Sequence, residues 1–285
     1  MRRFTTSMLA ICAGFAVAQA NAADLGYGGY KDGNAAADEW AIDGWKAGGI
    51  LVITPVYEGS DKYEAFGLPY IFPVLAGGGP GFFSRVDVRG LDDIRYRAID
   101  WNGFVAGPVA GYALGRDVSD DRRTLGGLGD VDGGVVGGGY VGYQFGPALF
   151  DVSFNNIFGD DGGYLIRFTG TVERQVYQNW KLTLRGGATY ADGDYMNTYF
   201  GITPEQSANS VAHLSAFSPD AGFKDVFAEV QLKADLDARW TVQTTLRYSR
   251  LIDDAADSPI VQSEDQFTGL LGLSYKFDND FNWGR

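Results

Sequence analysis

Few residues in this chain have the chemistry for catalysis. His213 is its single histidine. A serine hydrolase or an Asp/His protease needs a base held within hydrogen-bond reach of the proton it takes. His213 falls in a stretch with no periodicity, 191–222, and reads as a solvated loop residue. The single cysteine, Cys12, lies too near the start to serve a mature chain, which excludes disulfides, thiol catalysis and Cys-ligated zinc. The glycine-rich run 126–134 lacks the Gly-Lys-Ser/Thr of a phosphate loop, and Val131 stands where a calcium repeat carries Asp. The acids Asp117, Asp120, Asp121, Asp253, Asp254 and Asp257 offer oxygens to a divalent cation, but in this pattern they read as loop solvation. No cofactor, no metal and no catalytic residue is expected. More informative are nine charges that recur at a period of two: Asp151, Arg167, Glu173, Lys181, Arg185, Asp225, Glu229, Lys233 and Arg247. They should share one interior. A mixed-sign interior either lines a channel or closes through paired ions.

Strands must position these charges. Residues 164–190 form two alternating runs around the turn Tyr177-Gln178-Asn179. Tyr164, Ile166, Phe168, Val172 and Val176 lie on one face, against Arg167, Thr169, Thr171, Glu173 and Gln175. Trp180, Leu182, Leu184, Ala188 and Tyr190 lie against Lys181, Thr183, Arg185 and Thr189. Strict alternation indicates half-apolar strands. Their length exceeds the ~5–6 residues usual in soluble sheets and suits the ~9–11 of a tilted membrane strand. Aromatic residues cap their ends, as in an interfacial girdle.

The same unit recurs along the chain. Twelve strands are expected, over 45–57, 63–75, 81–89, 94–100, 104–114, 134–145, 148–158, 164–176, 180–190, 223–236, 239–251 and 266–277. The third and fourth are the shortest; without them ten remain. Pro69 and Pro73 predict a bulged or locally unpaired second strand, and Pro108 an interrupted fifth. Short connections alternate with long ones (115–133, 191–222, 252–265), the asymmetry of periplasmic turns and outer loops. The expected fold is all-β, a transmembrane antiparallel up-and-down β-barrel. The competing fold is a soluble sandwich, in which the apolar faces would pack against one another.

The ends and the composition agree with export to a membrane. Residues 1–22 have the pattern of a signal peptide: Arg2 and Arg3, an apolar core, then Ala20-Asn21-Ala22, with cleavage expected between Ala22 and Ala23. Without Arg2 and Arg3 the chain has 21 basic and 36 acidic residues, a formal charge of −15. Such acidity argues against nucleic acid as a partner. No mature segment reaches the ~18 consecutive apolar residues of a membrane helix. The 41 glycines and 14% aromatics favour a barrel. The expected organisation is a flexible periplasmic lead-in at 23–44, the barrel at 45–277 and a periplasmic tail at 278–285.

Five segments carry a family resemblance. They are Tyr57-Glu58-Gly59-Ser60-Asp61, the run Leu125 to Asp132, Met196-Asn197-Thr198-Tyr199-Phe200-Gly201-Ile202-Thr203-Pro204, the run Phe217 to Val226, and the run Tyr248 to Val261. In this order they resemble MipA/OmpV-like outer-membrane proteins, and the third matches the family's "YFGV" segment. The resemblance implies an outer-membrane barrel in contact with lipid and lipopolysaccharide. The name-giving member, MltA-interacting protein, is a scaffold that brings together a lytic murein transglycosylase and a bifunctional penicillin-binding murein synthase; other members are described as major outer-membrane antigens. The family has no agreed catalytic residues to carry over. Barrels of this kind often end on an aromatic residue, whereas here Asp278 to Arg285 follow Phe277. The expected function is therefore a non-enzymatic scaffold for murein enzymes. The alternatives are a small-solute pore and, further off, an adhesion or antigen protein.

Overall fold

The computed structural model describes residues 42–75 and 85–278. The expected signal peptide and its cleavage site, nearly all of the lead-in, the first residues of the third expected strand and nearly all of the tail lie outside these. The described residues form one antiparallel sheet of thirteen strands. They are β1 (Ile42–Pro55), β2 (Tyr63–Leu75), β3 (Val86–Gly90), β4 (Asp93–Tyr96), β5 (Ile99–Trp101), β6 (Phe104–Ala113), β7 (Gly134–Phe145), β8 (Ala148–Phe158), β9 (Gly163–Tyr177), β10 (Trp180–Ala191), β11 (Gly222–Asp235), β12 (Trp240–Leu251) and β13 (Asp265–Asp278). Each long strand pairs with its neighbour in sequence, and β1 pairs with β13, so the sheet curls into an up-and-down barrel.

Ten of these strands have ten or more residues, enough to cross a bilayer at a tilt. The expected third and fourth strands become three short pieces of five, four and three residues. Their charges explain the break. Asp87, Arg89, Asp93 and Arg95 alternate with apolar residues, and their ion pairs draw the β3–β4 hairpin inward. The prolines matter less than their chemistry suggests. β2 keeps continuous register with β1 through Pro69 and Pro73, the only shift lying between Ile42 and Gly44. Pro108 sits in an unbroken β6–β7 ladder opposite Gly139.

The distribution of side chains decides between membrane barrel and soluble sandwich. Leu51, Ile53, Ile71, Phe150, Phe154, Phe168, Leu184, Val226, Leu246, Phe267 and Leu271 are all exposed. Asp151, Ser153, Asn155, Thr169, Thr183, Arg185, Glu229 and Gln231 are buried. This is the inverse of a water-soluble sheet, and it suits hydrocarbon outside and charge inside. Trp45, Trp101, Tyr143, Phe145, Tyr177, Trp180, Trp240 and Phe277 are exposed at the end with the short turns, forming one aromatic girdle. Tyr63, Phe158 and Phe223 are exposed near the opposite end. The short turns are tight: Asn102 and Gly103 both take positive φ (51° and 85°), the geometry of a two-residue hairpin turn.

Candidate functional site

The barrel encloses a cavity of about 1500 Å³. Six of the nine expected charges line it: Arg167, Arg185, Asp225, Glu229, Lys233 and Arg247. The other three, Asp151, Glu173 and Lys181, lie on the same face of their strands as cavity-lining neighbours.

Eight of these nine charges form the following ion pairs. Asp151 on β8, 4% exposed, accepts from Arg95 Nη1 at 2.6 Å and from Arg89 Nη1 at 2.9 Å. Arg95 turns its Nε to Asp93 at 2.6 Å and stacks 5.0 Å from the Tyr140 ring centroid. Arg167 on β9 pairs with Asp92 and lies 3.7 Å from Asp93. Arg185 on β10 pairs with Glu229 on β11, donates to Gln231 at 3.1 Å, and lies 3.9 Å from Asp87. Glu229 also faces Arg247 at 3.8 Å, and that guanidinium lies 3.9 Å over the Phe227 ring. Lys224 bridges Glu58 and Asp225, and Lys181 meets Glu173 at 2.7 Å.

Seven of the fifteen charged residues in this network are missing from the expected inward set: Glu58, Lys224, Asp87, Arg89, Asp92, Asp93 and Arg95. The last five belong to the β3–β4 hairpin, whose tip leans into the lumen. Leu91 O accepts from Tyr112 N of β6 at 2.8 Å, while Asp92 O accepts from Asn155 Nδ2 of β8 at 2.9 Å. Strands β6 and β8 are about 10 Å apart along the wall, so the tip must lie over their inner face. The signal was present in the spacing: Asp87/Arg89 and Asp93/Arg95 repeat the period of two seen in the other inward charges.

A packed cap, whose residues Asp117, Asp120 and Asp130 the cavity reaches, lies over the end opposite the short turns. Four short helices build it: α1 (Arg122–Leu125), α2 (Gly193–Phe200), α3 (Pro204–Asn209) and α4 (Asp253–Asp257). Their sequences start them locally. Asp192 accepts from Tyr195 N at 3.0 Å, and Thr203 and Gln206 form a capping box with Pro204 in the first turn. Tyr57, Leu125, Leu128, Ile202 and Ile260 form one apolar cluster; Val131, Tyr195, Met196, Tyr199, Phe200 and Ala255 belong to a second. Buried polar bonds tie the loops together: Ser258 Oγ to Phe200 O at 2.6 Å, Arg116 Nη1 to Tyr199 O at 3.0 Å, and Gln206 Nε2 to Leu128 O at 2.6 Å. Gly127 holds φ +88°, and a Cβ there would sit 2.0 Å from Asn209 O. The five motif segments meet in this cap, and the long loops that the sequence left without periodicity carry its helices.

The cap's electrostatics follow from burial. Burial, then the nearby Asp121 carboxylate, pushes the Tyr57 hydroxyl up to about 12. Burial and the neighbouring Glu58 raise Tyr195 well above an ordinary tyrosine. For Asp121 burial acts upward, but hydrogen bonds from Lys62 (2.6 Å) and Thr124 (2.9 Å) outweigh it and lower the carboxyl. Burial depresses the Arg116 guanidinium. His213 is exposed on the cap, with φ 54°.

A family model described as MltA-interacting protein MipA matches residues 47–277. The chain belongs to this family. Among individual relatives, OmpV of Vibrio cholerae is 34% identical over 94 residues, which is 32% of this chain and 34% of that protein. MltA-interacting protein of Escherichia coli K12 is 30% identical over 105 residues, 35% of this chain and 40% of that protein. Each alignment thus spans well under half of the relative's length. An outer-membrane channel from Pseudomonas putida F1 aligns at 9% identity and TM-score 0.36, covering 87% of this chain and 100% of that one. The protein is an outer-membrane β-barrel of the MipA family.

Proposed function

We propose that the protein is a non-enzymatic scaffold that positions murein-processing enzymes from its periplasmic end. The observation that carries this reading is the obstruction of the lumen. A charged hairpin is tied over the inner face of β8 and β9 through Asp151 and Arg167, and a cap with its own apolar core lies over one end. A barrel narrowed in this way is a poor conduit, and its rigid, lipid-anchored periplasmic face remains as the working surface. The name of the E. coli relative, MltA-interacting protein, supports a murein enzyme as partner. A lytic transglycosylase and a penicillin-binding synthase are the two candidates. The periplasmic surfaces are the turns at 102–103, 146–147, 178–179 and 236–239, together with the chain ends. Lipid and lipopolysaccharide would surround the apolar band.

Affinity capture tests this. Purified full-length protein should retain a lytic transglycosylase from a periplasmic extract, and substitutions in the 178–179 and 236–239 turns should weaken that retention. Undiminished retention with both turns and both ends altered would refute the surface assignment. A second reading, a small-solute pore, is favoured by the cavity volume of about 1500 Å³. It requires a continuous path past both the β3–β4 hairpin and the cap.

A further inference from the structure

The inner wall carries an apolar patch where the rest of the lumen is charged. Ile50 and Val52 on β1, Phe66 and Leu68 on β2, and Leu270 on β13 all line the cavity. Their register makes them one patch of two tiers. Val52 lies between Leu270 and Phe66, and Ile50 lies between Gly272 and Leu68. Three neighbouring strands span about 10 Å. All of these apolar side chains are half-buried, and none belongs to the apolar clusters of the cap or of β6–β8. At Gly272 the patch has a hollow: a Cβ there would meet nothing closer than 3.7 Å. On β10 and β12, by contrast, Arg185 and Thr245 face the same cavity.

The patch adjoins a seam in the wall. Among the described residues β2 pairs with β1 alone, and no ladder joins it to β3, the other end of the sheet. Pro69 and Pro73 are four residues apart, so their nitrogens point to the same side of β2. The β1 register runs unbroken through both, so the side that lacks their donors is the seam. Proline on a free edge suits a strand that has no second neighbour. Pro69 lines the cavity, although Ile71, two residues on and on the same face, is exposed on the outer wall. The cavity thus reaches the edge of β2. Outside, Leu51 and Ile53 of β1 are exposed and alternate with Ile50 and Val52, so the hydrocarbon of the bilayer lies at the height of the patch. A lipid chain that moves onto the patch gives up little by leaving its neighbours, because lipid tails are as apolar as the leucines it meets. The gain is the removal of the patch from water.

We propose that this patch holds an acyl chain of a bilayer lipid, which reaches it laterally through the β2 seam. The site asks nothing of the murein partner, so it stands or falls separately from the scaffold reading.

The test is photo-crosslinking of the full-length refolded protein in phosphatidylcholine vesicles, with adducts mapped by mass spectrometry. One preparation contains phosphatidylcholine with a diazirine at mid-chain; the other contains a diazirine fatty acid. Adducts on Phe66, Leu68 or Leu270 are expected from the phosphatidylcholine probe. Leu246, outward on β12, should be labelled as well, while its inward neighbour Thr245 should not. Gly272→Leu fills the hollow and should lower inward labelling, relative to that of Leu246, by about fourfold or more, the factor that one methylene kept from contact carries. If heat-modifiable gel migration shows that Gly272→Leu does not fold, Val52→Thr replaces it; this keeps the side-chain shape, adds a hydroxyl to the patch, and should lower inward labelling in the same direction. Inward adducts from the fatty acid alone mean an occupant other than a bilayer lipid and overturn the proposal. So do the absence of inward adducts, labelling of Thr245 equal to that of the patch, and inward labelling that the folded variant leaves unchanged.

Discussion

Replacing Asp151 by Asn removes the charge that anchors the lumen hairpin. In the parent, its Oδ1 accepts from Arg95 at 2.6 Å and its Oδ2 from Arg89 at 2.9 Å. The carboxylate is fully shielded, and the two arginines are 1% and 8% exposed. Removing one partner of a buried pair typically costs about 3–5 kcal/mol, because the other charge is left uncompensated. Here each arginine keeps a second acid, Arg95 with Asp93 and Arg89 with Asp87. The expected loss therefore lies at the low end, about 3 kcal/mol. With a urea dependence of about 2 kcal/mol/M, the midpoint should fall by about 1.5 M. The assay is reversible urea unfolding in micelles, followed by tryptophan fluorescence. Asp160→Asn, in the exposed β8–β9 turn, is the control and should stay within about 0.5 kcal/mol of the parent. A midpoint equal to that of the control would refute the idea that paired ions hold the hairpin in place.

Three further outcomes concern the cap. Phe200, 0% exposed in the larger apolar cluster, should cost about 3–5 kcal/mol of cap stability on replacement by Ala; loops 115–133 and 192–221 should then be cut by protease while the strands stay intact. Gly127→Ala places a Cβ 2.0 Å from Asn209 O at φ +88°; a cost of about 1–3 kcal/mol and faster hydrogen exchange at Val211, whose amide donates to Gly126 O at 2.9 Å, are expected. Asp121 has a lowered pKa in the folded state, so its contribution is complete above the ordinary carboxylate range and is lost as pH falls through the folded value. Hydrogen exchange at Thr124 and Leu125, whose amides donate to Asp121 O, should therefore accelerate relative to strand amides in acid, and Asp121→Asn should remove that pH dependence.

The wall of the barrel was legible because its signal is local. Alternation in 164–190 fixed the faces of β9 and β10, and the bounds of β2, β7 and β8 followed from the turns between them. The third and fourth strands were not legible as built. Their fate depends on Asp151 and Arg167, distant in sequence, which draw Asp92, Asp93 and Arg95 off a simple wall path. The cap was missed for a different reason. Its helices are four to eight residues long, too short for amphipathic periodicity, although Asp192 and the Thr203/Gln206 capping box marked two of their starts. The prolines misled because the ladder remains in register through Pro69, Pro73 and Pro108.

The most direct test of a closed scaffold barrel is planar-bilayer conductance of the refolded parent protein, with heat-modifiable gel migration establishing beforehand that it is folded. The account predicts a folded barrel that inserts and gives no discrete steps, because the hairpin and the cap both obstruct the lumen. Steady, discrete steps from the unmodified protein would contradict it and would make solute passage the primary function.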